Sequence, residues 1–284
     1  MDIQAAEIRA AEPVELIAFD LDGTILTAAK EITPRTREAL RRARAAGIHL
    51  IPATGRQFFD IPAFIKEAAS PFLVANNGSQ IYAMPEGDLI FEKVFDQEAA
   101  LALLREAREE EALIFAAHEA VGIFDNRGRG YEAGLTDRIR SRGGWEHPMA
   151  DLEALIREGK RIIKLVMLFE DTAKRNETWD RFRPRGDLYV TSFAPDNVEI
   201  MPVGINKGEA LKMTAAKLGV PPERVMALGD SDNDREMLRF AGLGVAMANA
   251  PEDIRACARR VTLSCDEDGA AAAIEEVLAS RIYA

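Results

Sequence analysis

Val14-Glu15-Leu16-Ile17-Ala18-Phe19-Asp20-Leu21-Asp22-Gly23-Thr24 is the stretch on which the fold turns. A short apolar run that stops at an acid reads as a buried parallel strand delivering Asp20 to its carboxyl end. Side chains two apart on extended backbone point the same way, so Asp20 and Asp22 lie side by side. Two neighbouring carboxylates repel unless a proton or a cation separates them. A hard divalent cation with oxygen ligands resolves the conflict, and Mg²⁺ suits a site shared with phosphate. In isolation, the same residues would read as loop aspartates capping turns.

Outward from this strand the pattern alternates. Thr33-Pro34 supplies a helix cap and a first-turn proline, Ala39, Leu40, Ala43 and Ala46 recur at helical spacing, and Gly47 ends the helix. His49–Ala53 reads as a strand ending at Thr54, Phe58–Ala69 as a helix, and Phe72–Ala75 as a third strand. The last third repeats the theme, with a helix Lys207–Leu218, a strand Arg224–Leu228 running into Gly229-Asp230, and further helices and short strands. The stretch between them differs. Several apolar runs there are joined by turns, Pro195-Asp196-Asn197 among them, which predicts an antiparallel sheet, while the Gly- and Arg-rich stretch 127–148 reads as loop. The expected fold class is α/β: a doubly wound, mainly parallel sheet with an inserted α+β cap. The expected boundaries are 1–82 and 198–284 for the sheet domain and 83–197 for the cap.

Composition narrows the function. The 284 residues carry a net charge of −11, which disfavours a nucleic-acid partner and means that any phosphate site must bring its own cations. The apolar run at Ile162–Phe169 is interrupted by Lys164 and is too short to span a membrane. Cys257 and Cys265 form no metal-ligand pattern. The first residues contain Asp2, Glu7 and Glu12 and no apolar core, so the expectation is no secretory signal and a cytoplasmic location.

Open parallel sheets place ligands at the carboxyl ends of their strands. Three more polar clusters fall at strand ends or at a helix start. Thr54-Gly55 offers a hydroxyl and exposed backbone N–H groups to phosphate oxygens. Lys207 follows the helix cap Asn206, where the helix dipole favours anions, so a cation there is informative. Asp230 directly terminates a strand and is a natural third ligand beside Asp20 and Asp22, whereas Ser231 to Asp234 also read as a helix-start cluster.

Taken in chain order, these clusters resemble the haloacid dehalogenase superfamily, and within it the Cof-type phosphatases with a type IIB cap. Asp20-Leu21-Asp22-Gly23-Thr24, Thr54, Lys207 and Gly229-Asp230-Ser231-Asp232-Asn233-Asp234 match its four motifs, and the resemblance extends from about Val14 to Leu278. Cys265 stands where such members commonly carry Asn. The resemblance implies an Mg²⁺-dependent phosphatase of small phosphorylated metabolites. Asp20 is then the nucleophile and Asp22 the general acid and base. Asp20, Asp230 and the backbone carbonyl of Asp22 hold the metal, with Asp234 behind them. Thr54, Gly55, Lys207 and Asn233 hold the phosphoryl group. Arg56 and Asn77, near the expected junction with the cap, are candidate contacts for the leaving group; a surface ion pair and a turn are the alternative readings. A phosphomutase, or a binding protein on the same scaffold, are the competing functions.

Overall fold

The computed structural model describes residues 13–118, 121–135 and 147–282. Its central sheet has five parallel strands in the order Arg260–Val261, Leu243–Ala246, Val225–Gly229, Leu16–Phe19, His49–Pro52. Leu16–Phe19 is buried at all four positions, as a strand covered on both faces requires. Its side chains alternate between two cores. Ile17 and Phe19 pack with Ala39, Leu40, Ile65, Ile274 and Leu278 on one face. Leu16 and Ala18 pack with Leu211, Ala215, Met237 and Ile254 on the other. The sheet is therefore doubly wound. Successive strands leave Leu16–Phe19 in one direction and Val225–Gly229 in the other, so the strand order reverses between those two. Their carboxyl ends flank the crevice where such sheets bind ligands.

A second sheet of six strands runs in the order Leu188–Thr191, Asn197–Pro202, Ile162–Leu168, Leu113–His118, Val121–Asp125, Met149–Ala150. Its pairs are antiparallel except the last. Helices Gln97–Arg108, Leu152–Arg157 and Thr172–Phe182 contribute to the apolar core on one face of it. A third, three-stranded antiparallel sheet comprises Phe72–Ala75, Gln80–Ala83 and Asp88–Glu92.

Several sequence expectations shift. Asn197–Pro202 pairs with Ile162–Leu168 and Leu188–Thr191, so a boundary at 197/198 would cut through a strand of the cap sheet. A boundary at 82/83 likewise falls inside Gln80–Ala83, whose hairpin runs on to Glu92. Both segments are short apolar runs, and such runs carry no mark of the distant strand they will join. Phe72–Ala75 lies beside the parallel sheet, through a parallel bridge between Ala53 and Val74, but its continuous pairing is with the hairpin. The single helix expected over Phe58–Ala69 is a turn of 3₁₀ helix, Phe58–Asp60, and an α-helix, Ala63–Ala68. Pro62 lies between them and lacks the N–H a continuous helix needs. Within the expected loop 127–148 a helical turn forms at Arg129–Glu132, while 136–146 lies outside the described residues. No helix among the described residues is long and apolar enough to cross a membrane.

Candidate active site

Asp20 is the first residue past the Leu16–Phe19 strand, and its N–H donates to Leu228 O of the neighbouring strand at 3.0 Å. The main chain thereby fixes the acid at the crevice. Asp230 follows directly after Val225–Gly229. Lys207 opens the helix Lys207–Leu218, whose cap is the Asn206 side chain accepting from Glu209 N–H at 2.8 Å. The Lys207 side chain is fully buried. Its Nζ donates to Asp20 Oδ1 at 2.6 Å and to Asp234 Oδ1 at 2.7 Å. Asp234 Oδ2 accepts from the backbone N–H groups of Asp230 (2.9 Å) and Ser231 (3.0 Å), which folds the segment back on itself. Residues far apart in the chain thus share one buried cluster.

Carboxylate oxygens of Asp20, Asp230 and Asp234 lie within 4.8 Å of one another. Asp230 also accepts from Thr24 Oγ1 at 3.1 Å and from Asn249 Nδ2 at 3.2 Å. Gly23 has φ +81°, and a Cβ there would sit 2.4 Å from Asp230 Oδ2, so only glycine lets the first loop close over this acid. The charge in the cluster is incompletely balanced. Burial pushes the Asp20 carboxyl well above its ordinary range; Lys207 opposes this, and Asp234, Asp230 and Asp22 add to it. Burial, then Asp234, raises Asp230 to about 7. Burial works against the Lys207 ammonium, but Asp20 and Asp234 together hold its affinity for the proton above the usual lysine value. Three acids with oxygen donors and a single ammonium form a set suited to a hard divalent cation.

Asp22 is set apart. Its carboxylate receives Arg56 Nε and Nη2, both at 2.7 Å, and Lys30 Nζ at 2.9 Å. Burial would raise this carboxyl, but the hydrogen bonds from Arg56 and Lys30 outweigh it and lower the group to about 2. Arg56 is thus an ion-pair partner of Asp22. Thr54 is buried, with its Oγ1 accepting from Arg56 N–H at 3.1 Å, and its carbonyl accepts from Asn77 N–H at 2.9 Å. Asn77 has φ 53° within a left-handed turn that brings Gly78 against Asn206 O. Its Oδ1 accepts from Asn233 Nδ2 at 3.0 Å and lies beside Gly55. The structure therefore gathers Asp20, Asp230, Asp234 and Lys207 at the centre, with Thr54, Gly55, Asn77 and Asn233 on one flank and Asp22 with Arg56 on another.

Sequence reasoning passed over two residues of this flank. Lys164 Nζ donates to Gly55 O at 2.7 Å and to Glu199 Oε1 at 2.5 Å, and Glu199 Oε2 accepts from Asn77 Nδ2 at 2.7 Å. Both come from cap strands. The available signal was a lone charge inside each of two otherwise apolar runs, Ile162–Phe169 and Val198–Met201. Buried charges of that kind are costly unless paired.

The chain as a whole has relatives among known proteins. Residues 17–274 match the haloacid dehalogenase-like hydrolase family. The chain is 31% identical to the phosphatase YwpJ of Bacillus subtilis, over 93% of this chain and 100% of that one. It is 32% identical to the B. subtilis 5-amino-6-(5-phospho-D-ribitylamino)uracil phosphatase YcsE, over 92% of this chain and 94% of that one. The solved structure of a haloacid dehalogenase-like hydrolase from B. subtilis superposes with a TM-score of 0.76 at 30% identity, covering 92% of this chain and 99% of that one. With the motif residues converging where a doubly wound sheet reverses its order, and with these matches spanning almost the whole chain, the protein belongs to the haloacid dehalogenase-like hydrolase family, as an enzyme that hydrolyses phosphate monoesters.

Proposed function

We propose that this chain is an Mg²⁺-dependent phosphatase of small phosphorylated metabolites that works through a phosphoaspartate on Asp20. The observation that carries the reading is the buried meeting of Asp20, Asp230, Asp234 and Lys207. Asp20, Asp230 and the backbone carbonyl of Asp22 would hold the cation, and Asp234 would support it while anchoring Lys207. Bound there, Mg²⁺ would neutralise charge on the transferring phosphoryl group. Phosphoryl transfer asks the protein mainly for positioning and charge neutralisation.

The chain's own residues divide the remaining tasks. Asp20 attacks phosphorus as the bond to the leaving oxygen breaks, and Asp22, once released from Arg56 and Lys30 and protonated from solvent, gives that proton to the leaving oxygen. Asp22 then takes a proton from water as the water attacks the phosphoaspartate, which returns Asp20 and releases inorganic phosphate. Lys207 offsets the repulsion between the anionic nucleophile and its anionic target. Thr54, Gly55 and Asn233 orient the phosphoryl oxygens. Arg56 and Lys30, paired with Asp22 here, have to yield it when substrate enters. The candidate substrates are sugar phosphates or cofactor phosphates, and the relative YcsE is named for a phosphorylated ribitylaminouracil. The reading includes a cytoplasmic location and no nucleic-acid partner.

Purified protein is expected to hydrolyse p-nitrophenyl phosphate with Mg²⁺, to stop on chelation, and to rank a panel of phosphorylated metabolites by turnover. A phosphomutase would instead isomerise a sugar phosphate when given a bisphosphorylated activator. A binding protein without turnover need not form a beryllofluoride adduct at Asp20.

A pH dependence follows from Asp230. Unfolded, its carboxyl loses its proton near 3.8; in the metal-free fold it keeps it to about 7. Between those values the folded state binds more protons, so this group's contribution to stability falls as pH rises. A cation must displace that proton. The rise in melting temperature on adding Mg²⁺ is therefore expected to be larger at pH 8 than at pH 5.5. An equal rise at both pH values would contradict the ligand assignment.

A further inference from the structure

Lys164 and Glu199 form an ion pair at the heart of the cap sheet's contact with the parallel-sheet domain. Their side chains are 6% and 0% exposed. Such a pair adds little net stability over apolar residues of the same size, so its presence calls for another reason. Its partners supply one. Lys164 reaches across to the carbonyl of Gly55, in the turn that follows Thr54. Glu199 accepts Lys164 on one oxygen and Asn77 Nδ2 on the other.

Hydrogen-bond polarity then runs outward in one direction. A carboxylate only accepts, so it compels the Asn77 amide to turn its Nδ2 toward Glu199. The Asn77 Oδ1 is thereby left facing Asn233 and receives Asn233 Nδ2 at 3.0 Å. One N–H of the Asn233 amide is used in this bond, and the same nitrogen has a second to give. The cap thus dictates how the Asn233 amide is turned: its Nδ2 lies on the side of Gly55, and its Oδ1 is buried without a hydrogen-bond partner. We propose that Lys164 and Glu199 are positioning residues for phosphate: the cap uses them to fix the Gly55 carbonyl and the amide orientations of Asn77 and Asn233. This rests on the phosphatase reading above and adds a cap-borne determinant of phosphate affinity.

Glu199→Gln keeps the shape and reverses the polarity. Glutamine offers one acceptor and one donor where two donors now point. If its oxygen stays on Lys164, its NH₂ opposes Asn77, which turns over and sets its own NH₂ against Asn233. The full-length variant is expected to bind inorganic phosphate, measured by calorimetry with Mg²⁺ present, about 10- to 100-fold more weakly, the worth of one hydrogen bond to a charged group. Its kcat/KM on p-nitrophenyl phosphate is expected to fall about 100-fold, as for a small misplacement of an orienting group.

The double variant Lys164→Met/Glu199→Met removes the pair without stranding either charge. It is expected to melt near the wild-type temperature yet to bind phosphate as weakly as Glu199→Gln, and it carries the test if the single variant unfolds. A purely structural role predicts that affinity returns together with melting temperature. That result, or wild-type phosphate affinity in Glu199→Gln, overturns the proposal. A wild type that binds phosphate without hydrolysing esters would sink the phosphatase reading and leave the positioning role standing. One that does neither would sink both.

Discussion

Asp20→Asn is expected to abolish hydrolysis of p-nitrophenyl phosphate, with turnover down on the order of 10⁴-fold or more, while the protein stays folded. The magnitude is that of removing a nucleophile that acts as one unit with its partners. An amide oxygen cannot form the phosphoaspartate, and Asp22, held by Arg56 and Lys30, is not placed to replace it. The fold should tolerate the change because Asp20 sits in a cluster already overloaded with acid. Asparagine keeps an oxygen for Lys207 Nζ, now 2.6 Å from Asp20 Oδ1. The beryllofluoride adduct should disappear together with turnover. Wild-type turnover in the variant would remove Asp20 from the mechanism.

Lys207→Met is expected to damage activity and stability together. The ammonium is fully buried between Asp20 and Asp234. Its removal strands two carboxylates, and breaking a buried pair by deleting one partner costs about 3–5 kcal/mol. At about 2–4 °C per kcal/mol for a chain of this size, the melting temperature should drop by roughly 10 °C. Turnover should fall about 10³-fold, as when a preorganised charge-stabilising donor is lost. The stability loss has a pH signature. Asp20 is already raised by burial, and without Lys207 it binds its proton still more tightly than in the unfolded chain. The variant therefore recovers as pH falls, and the gap to wild type widens from pH 5 to pH 8. A gap that does not change with pH would mean that the lost contacts are apolar packing by the lysine stem.

The centre of the site was legible because few physical rules place it. A buried run that stops at an acid marks a strand end, and Asp20 and Asp230 each sit one residue past such a strand. Lys207 announced itself by standing where a helix start disfavours cations, and burial between two acids accounts for it. What the sequence concealed were long-range pairings. Val198–Met201 has the same look in either sheet, and only its register with Ile162–Leu168 assigns it to the cap. Asp22 was grouped with Asp20 by alternation along a strand, yet the chain leaves the strand at Asp20 and turns the second carboxylate toward Arg56. Lys164 registered only as an interruption of an apolar run, because nothing local to it reveals Gly55 or Glu199.

The order of strands in the central sheet has a consequence for how the chain is made. Leu16–Phe19 is an interior strand of that sheet, and its partner Val225–Gly229, the middle strand, is translated only after every residue of the cap. Until then the nascent N-terminal segment holds an open, apolar edge with no strand to close it, the kind of surface on which growing polypeptides stick to one another. The cap sheet, in contrast, draws all its strands from one continuous stretch, Leu113 to Pro202. With the helix Gln97–Arg108 already made ahead of that stretch, the sheet needs nothing translated after it, and folding it shortens the span that separates the two halves of the unfinished sheet.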